Sequence, residues 1–484
     1  MSRPPLAASG RRPFLIALAA LLLVQLAWAL VVPAFRGVDE IEHAYRAASV
    51  AEGHWRPDYR APVDGRGDLI PVREDIVVAA NPVCTWLGYN GPDNCRGAED
   101  AGNGEVLVAS AAARYNPVFY WVIGSVAKPF DGFAALYVMR AVGALICALL
   151  IAAAAALTWR WSSTVWPGVA LVAVASPILT YSTMVAAPNG VELSAAVLLW
   201  TAGLGLSVTR SPDLERRLLL AAGVAAVCLA SVRSLGPLWL GLIGLTGLWL
   251  IGGDQCRSLV RRHRRLVLLV VAATAVALLW GAWWTLTAHP NNPASDSDAS
   301  PGSAWAQLPR AVPLWVLQSI GAFPLRNEPA PLATYLLFLV LWVALVVVGL
   351  RLGPRGPLLF VAGVSLAIPT VLTLISYQQI GVAWQGRYGY PVSMGVFLLA
   401  GCALDRARAA PARGAPIALA TCLVAGVGCL VAQLSVRALV LSDNVNPSAQ
   451  VASAWLVVLL TVAGYALVAT GLHRRAVDRS VRTE

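Results

Sequence analysis

Apolar runs of membrane-spanning length, separated by polar connections, recur along most of the chain. About twenty apolar residues are what an α-helix needs to cross the hydrocarbon of a bilayer. The first run is residues 13–33, PFLIALAALLLVQLAWALVVP. After a long polar stretch the pattern resumes at 133–157, 164–184, 190–208, 218–232, 236–252, 266–287, 331–350, 357–376, 389–404, 416–436 and 451–472. The spacing predicts an all-α polytopic membrane protein with about twelve transmembrane helices, forming a single integral membrane domain over residues 1–484.

Charge orients these segments. Arg11 and Arg12 precede the first run, which places the N-terminus in the cytoplasm. A cleaved signal peptide is the alternative reading, helped by the small-residue pattern Ala27-Trp28-Ala29, but the apolar run continues past that point. The connections then alternate. Arg160, Arg210, Arg216, Arg217, the group from Arg257 to Arg265, Arg351, Arg355, Arg406, Arg408 and Arg413 fall on the cytoplasmic side, and Arg474, Arg475, Arg479 and Arg482 keep the C-terminus there. Two long external loops remain, 34–130 with interfacial helices and 288–330. The chain is 58% hydrophobic and 13% charged, and its net charge of +11 follows from these connections, so nucleic acid is not an expected partner. Six cysteines lie in or beside apolar segments, where a thiol behaves as a small hydrophobe. Cys84 and Cys95 instead bracket the external stretch CTWLGYNGPDNC, and either a disulfide or two unpaired thiols fits that spacing.

Polar groups at membrane depth are costly and mark sites. On the external side these are Asp39 and Glu40 at the start of the first loop, Asn189 and Glu192 at the head of the 190–208 segment, Arg233 between two short segments, and Arg387 in WQGRYGYP. Arginines there suit an anionic head group, while a carboxylate suits proton abstraction. Each residue also has a structural reading. Asp39 with Glu42 has the form of a capping box on a helix ended by Gly53. Glu40-x-x-His43 is half of a metal pattern without its other half. Arg233 and Arg387 are candidates for snorkelling and for an aromatic belt with Trp384, Tyr388 and Tyr390.

DEIEHAYRAASVAEGHW, followed by YNPVFYWVIG, resembles the opening of the GT-C superfamily of polytopic glycosyltransferases, including the bacterial lipid A aminoarabinose transferases and, more distantly, the protein O-mannosyltransferases. APNGVE, IGAFPLRNEPAP and WQGRYGYP look like the signatures of an uncharacterised bacterial membrane family grouped with GT-C by fold; the resemblance covers about residues 15–400. It implies location in the bacterial cell membrane and transfer of a sugar from a polyprenyl-phosphate donor to an envelope glycan, lipid or protein on the external face. Carried over to this sequence, Asp39 is the general base and Glu40 a supporting carboxylate. Arg387 and Arg233 hold the donor phosphate, with Arg114 standing in for a lysine that related transferases place before a Pro-Pro pair. His43, Tyr45, Tyr115, Asn189, Glu192 and Tyr388 are the candidate substrate contacts. A divalent metal, Mg or Mn, shared by Asp39, Glu40 and the phosphate is compatible with this scheme but not required by it, and no dedicated metal ligands are expected. Trp305 and Trp315 are candidate sugar platforms, in a second loop whose stretch near 290–304 is expected to be mobile.

Two other readings compete: a transporter or flippase for a lipid-linked intermediate, and a catalytically inactive scaffold. The enzyme needs Asp39 within about 15 Å of Arg233 or Arg387, since charges beyond a Debye length couple poorly. It also needs a cavity joining Asp39 to Arg387.

Overall fold

A computed structural model describes residues 10–56, 67–88, 92–288, 301–323, 328–353, 355–409, 413–442 and 452–480. The helices in chain order are α1 (Arg11–Val31), α2 (Glu40–Ala51), α3 (Glu74–Trp86), α4 (Pro92–Cys95), α5 (Pro117–Ala127), α6 (Gly132–Trp161), α7 (Trp166–Val174), α8 (Pro177–Ser182), α9 (Asn189–Val208) and α10 (Pro212–Val232). They continue with α11 (Gly236–Ile251), α12 (Gly253–Arg262), α13 (Arg264–Ala288), α14 (Pro301–Gln318), α15 (Leu332–Leu352), α16 (Arg355–Ile380), α17 (Gly386–Arg406), α18 (Gly414–Ser442) and α19 (Ala454–Ser480).

Among the described residues, eight helices are long and apolar enough to cross a membrane, or nine if α11 and α12, bent by 98°, count as one span. The other segments of the hydrophobic pattern are helical but differ in form. Residues 164–184 make two short helices broken around Ser176, α10 opens on Asp213, Glu215, Arg216 and Arg217, and α17 opens on the polar GRYGYP.

The first long loop holds more than interfacial helices. It contains an antiparallel sheet of β1 (Asp68–Arg73), β2 (Glu99–Gly102) and β3 (Glu105–Ser110) in the order β1-β3-β2. Cys84, on α3, is disulfide-bonded to Cys95, with their Cα atoms 5.5 Å apart. α5 packs directly on α2 because Gly124 has no side chain: a Cβ there would lie 2.2 Å from the carbonyl oxygen of Ala47.

The break between α7 and α8 leaves backbone groups without intrahelical partners in an interior that offers no water. Every such group costs free energy unless it is paired. Val174 O, Ala173 O and Ile178 N–H find specific partners. The Tyr390 hydroxyl donates to Val174 O at 2.7 Å, and Trp342 Nε1 donates to Ala173 O at 2.8 Å. Ser176 Oγ donates to Ser319 O, and Ile178 N–H to Ile320 O. The segment after α14, QSIGAF, therefore docks into the break. Gln318 Oε1 in turn accepts from Gly386 N–H at 2.8 Å, and a Cβ on Gly386 would lie 1.8 Å from Trp315 O. The signatures IGAF and WQGR are thus two sides of one backbone junction, whose glycine permits the contact.

Tyr390→Phe keeps the ring and removes the donor to Val174 O. The expected cost is about 1–3 kcal/mol, the penalty of a buried unpaired carbonyl, read as a lowered thermal unfolding midpoint in detergent. A midpoint equal to that of the wild type would mean the break is not held by this bond.

Candidate functional site

α1 ends at Val31 and the chain turns through Phe35 and Asp39, both with positive φ (64° and 55°), before α2 begins. Asp tolerates the left-handed region better than most side chains. Although Asp39 occupies the N-cap position, its side chain makes no capping hydrogen bond, so the capping-box reading fails. Glu42 faces elsewhere, accepting from Ala111 N–H at 2.6 Å and tying α2 to the end of β3.

The adjacent carboxylates have opposite fates. Glu40 is 0% exposed. Its Oε1 accepts from Arg140 Nε at 2.7 Å and from Ala186 N–H at 3.1 Å; its Oε2 accepts from Arg140 Nη2 at 2.6 Å and from Gly37 N–H at 3.1 Å. The same guanidinium donates to Val32 O and Pro33 O. With both oxygens engaged twice, Glu40 is a structural anchor and does not fit a metal ion shared with Asp39. Among the described residues no group of three His, Cys, Asp or Glu is placed to hold a metal. Arg140, the centre of this clamp, lies inside a span that reads as apolar, and a lone arginine in YVMRAVG was the signal for it.

The Asp39 side chain is 31% exposed, and its Oδ2 meets Arg387 Nη2 at 3.3 Å; that of Arg387 is 5% exposed, and its Nε–H is buried without a partner. The two groups come from positions 348 residues apart in sequence. The two side chains are in direct contact. Tyr388 lies between two cations, with the guanidinium carbons of Arg387 and Arg233 at 5.3 Å and 5.0 Å from its ring centre. Arg233 also pairs with buried Glu192 at 3.1 Å. Asn189 is half-buried in the first turn of α9, whose N-cap is Pro188.

His43 lies one turn beyond Asp39. Its Nδ1 is 2.8 Å from the Tyr120 hydroxyl, and its ring lies 5.9 Å from those of Tyr115 and Tyr120. Burial pushes its pKa down to about 4, with Arg233 and Arg387 adding to the shift against the opposing charge of Asp39. The imidazole is therefore neutral near pH 7.

Three expected site residues lie elsewhere. Arg114 directs its fork at Asp68, with Nε and Nη2 bonds of 2.7 Å and 2.9 Å, so its charge is already matched. Tyr45 is fully buried in the core. Trp315 is buried and donates to Trp384 O, a packing role, whereas Trp305 is exposed. The expectation of a mobile stretch near 290–304 falls mostly outside the described residues.

A family model described as "Predicted membrane protein (DUF2142)" matches residues 22–396. The chain belongs to this family. As a DUF2142 protein with several long apolar helices it is a multi-pass membrane protein. No curated protein matches it. Among solved structures it is similar to the crystal structure of ArnT from Cupriavidus metallidurans bound to undecaprenyl phosphate, at 16% identity over 90% of this chain and 77% of that one, with a TM-score of 0.39. It is also similar to the same protein in the apo state, at 18% identity over 88% and 75%, with a TM-score of 0.40.

Glu40→Gln leaves Arg140 without its counter-charge and is expected to destabilise the fold by about 3–5 kcal/mol, as removing one partner of a buried pair does. Asp39→Asn, which keeps a side chain suited to positive φ and an oxygen facing Arg387 across a single contact, should cost less than Glu40→Gln; thermal unfolding of the two variants in one detergent compares them. The depressed pKa of His43 has its own signature. The folded state resists a proton that the unfolded state takes up below about 6.5, so this contribution to stability is present above pH 6.5 and is lost as pH falls toward 4. The midpoint difference between wild type and His43→Gln should shrink over that window; a constant difference would contradict the assignment.

Proposed function

We propose that this protein is a GT-C-type glycosyltransferase that moves a sugar from a polyprenyl-phosphate donor to an envelope acceptor at the external membrane face, with Asp39 as general base. The observation that carries this reading is the Asp39–Arg387 contact: a partly exposed carboxylate beside a buried guanidinium with an unused Nε–H donor. The planar fork of arginine suits a phosphate, and Arg233, 5.0 Å from the same Tyr388 ring, adds a second positive charge.

On this reading the donor phosphate competes with Asp39 for Arg387. Asp39 holds Arg387 through a single 3.3 Å contact, so a phosphate making several charge-assisted bonds can displace it. Asp39 is then released beside the donor, able to take a proton from the acceptor hydroxyl as the sugar leaves its phosphate. Neutral His43 orients a hydroxyl without adding charge. Glu40 and Arg114 play no part in the chemistry; they hold the turn and the sheet.

The test is release of labelled sugar from a panel of polyprenyl-phosphate sugars by purified protein. Asp39→Asn should lower turnover at least a hundredfold, in line with the 10²- to 10⁴-fold typical of general base catalysis, with its unfolding midpoint retained. Arg387→Ala should weaken donor binding, read as a raised KM. If the wild type turns over no donor, and envelope glycans are unchanged in cells carrying Asp39→Asn, the transferase reading is wrong and transport or scaffolding takes its place.

A further inference from the structure

A second feature lies toward the opposite end of α1 from Asp39. A cavity of about 150 Å³ opens between α1, α6, α7, α8 and α19. Along α1 its wall runs from Pro13 to Val24, and along α19 from Gly464 to Arg475. Each stretch is twelve residues of helix, and its eleven steps of 1.5 Å span about 16 Å, which matches half of a hydrocarbon core of about 30 Å. The lining is almost wholly apolar. An apolar cavity of this size stays free of water and takes up hydrocarbon guests.

The cytoplasmic mouth is different. Trp159 and Arg475 line it, with the guanidinium carbon of Arg475 4.5 Å from the Trp159 ring. Arg11 and Arg12, both exposed, precede Pro13; Arg160 follows Trp159; exposed Arg474 precedes Arg475. A Cβ on Gly10 would lie 3.7 Å from the Arg160 side chain, so the start of α1 and the end of α6 are adjacent. A narrow apolar slot one leaflet deep, beneath a cluster of arginines, matches the shape of an anionic phospholipid and complements its charge.

We propose that this cavity binds one acyl chain of an anionic phospholipid of the cytoplasmic leaflet, with the lipid phosphate among the exposed Arg11, Arg12 and Arg474, while Arg160 faces Asp213 at 3.9 Å. The inner end of the cavity reaches Ala175, Leu179 and Thr180, at the break between α7 and α8. The next residue, Tyr181, accepts from Val38 N–H at 2.9 Å, one residue before Asp39. The lipid thus fills space under the helix break that supports the external turn, and it does so whatever reaction the external site performs.

The full-length protein in detergent, stripped of lipid by repeated exchange, is titrated with phosphatidylglycerol or phosphatidylcholine and followed by native mass spectrometry and thermal unfolding. One phosphatidylglycerol should bind about tenfold more tightly than phosphatidylcholine and raise the unfolding midpoint. Ala155→Phe, which fills the slot, should abolish both effects, and Gly471→Leu serves if that variant does not fold. A diazirine placed on the acyl chain of phosphatidylglycerol should crosslink to peptides within 151–159 and 464–475, a readout that needs no variant. Equal binding of the two lipids, unchanged binding to the filled variants, or crosslinks spread over other helices would overturn the proposal. Displacement of phosphatidylglycerol by farnesyl phosphate would overturn it in favour of an isoprenoid tail.

Discussion

The ion pair between Arg140 and Glu40 is the constraint on which the Asp39 end of the bundle rests. A buried charge pair is sustainable only when its hydrogen-bonding groups are matched, since desolvation otherwise exceeds the Coulombic gain. Here one guanidinium takes Val32 O, Pro33 O and both Glu40 oxygens, and the carboxylate takes two more backbone N–H groups. Those bonds join the end of α1, the start of α2, the body of α6 and the segment before α9. The turn bearing Asp39 has little freedom left, which is what makes a positive φ at a non-glycine residue tenable there.

The second constraint works from the other side. Breaking a helix at Ser176 frees carbonyls and amides that α15, α17 and the segment after α14 must cover. Because that segment also bonds Gly386, the repair of the break and the placement of Arg387 are one event. Tyr181, on the far side of the break, holds Val38. The two halves of the Asp39–Arg387 contact are thereby referred to the same short stretch of backbone. The interruption is sealed by Trp342 and Tyr390.

Much of this was legible in the sequence, and the parts that were not have physical reasons. Hydropathy located the helical segments because apolar length is set by the bilayer. Asp39, Arg387, Arg233 and Glu192 stood out as polar groups at segment ends, and the structure brings them to one end of the bundle. Glu40 was indistinguishable from Asp39 in sequence, since neighbouring residues at a left-handed turn point in unrelated directions. Arg140 was absorbed into an apolar span by averaging. The sheet was missed because its strands are four to six residues long and only EVLVAS has a strand-like apolar character. Arg114 looked like a free cation because Asp68, its partner, lies 46 residues away.

The difference between the two acids also decides which one can act. Breaking the Glu40 clamp would cost about 3–5 kcal/mol, more than any acceptor hydroxyl could recover by being deprotonated there. Releasing Asp39 from Arg387 breaks a single 3.3 Å contact, and the proposed donor phosphate supplies a replacement partner for the arginine in the same step. A carboxylate held this way is neutralised by its arginine until the phosphate arrives and becomes available as a base only once the sugar is in place. On the proposed reading the loose pair is therefore the working element, and the tight pair beside it exists so that loosening one contact does not unfold the turn.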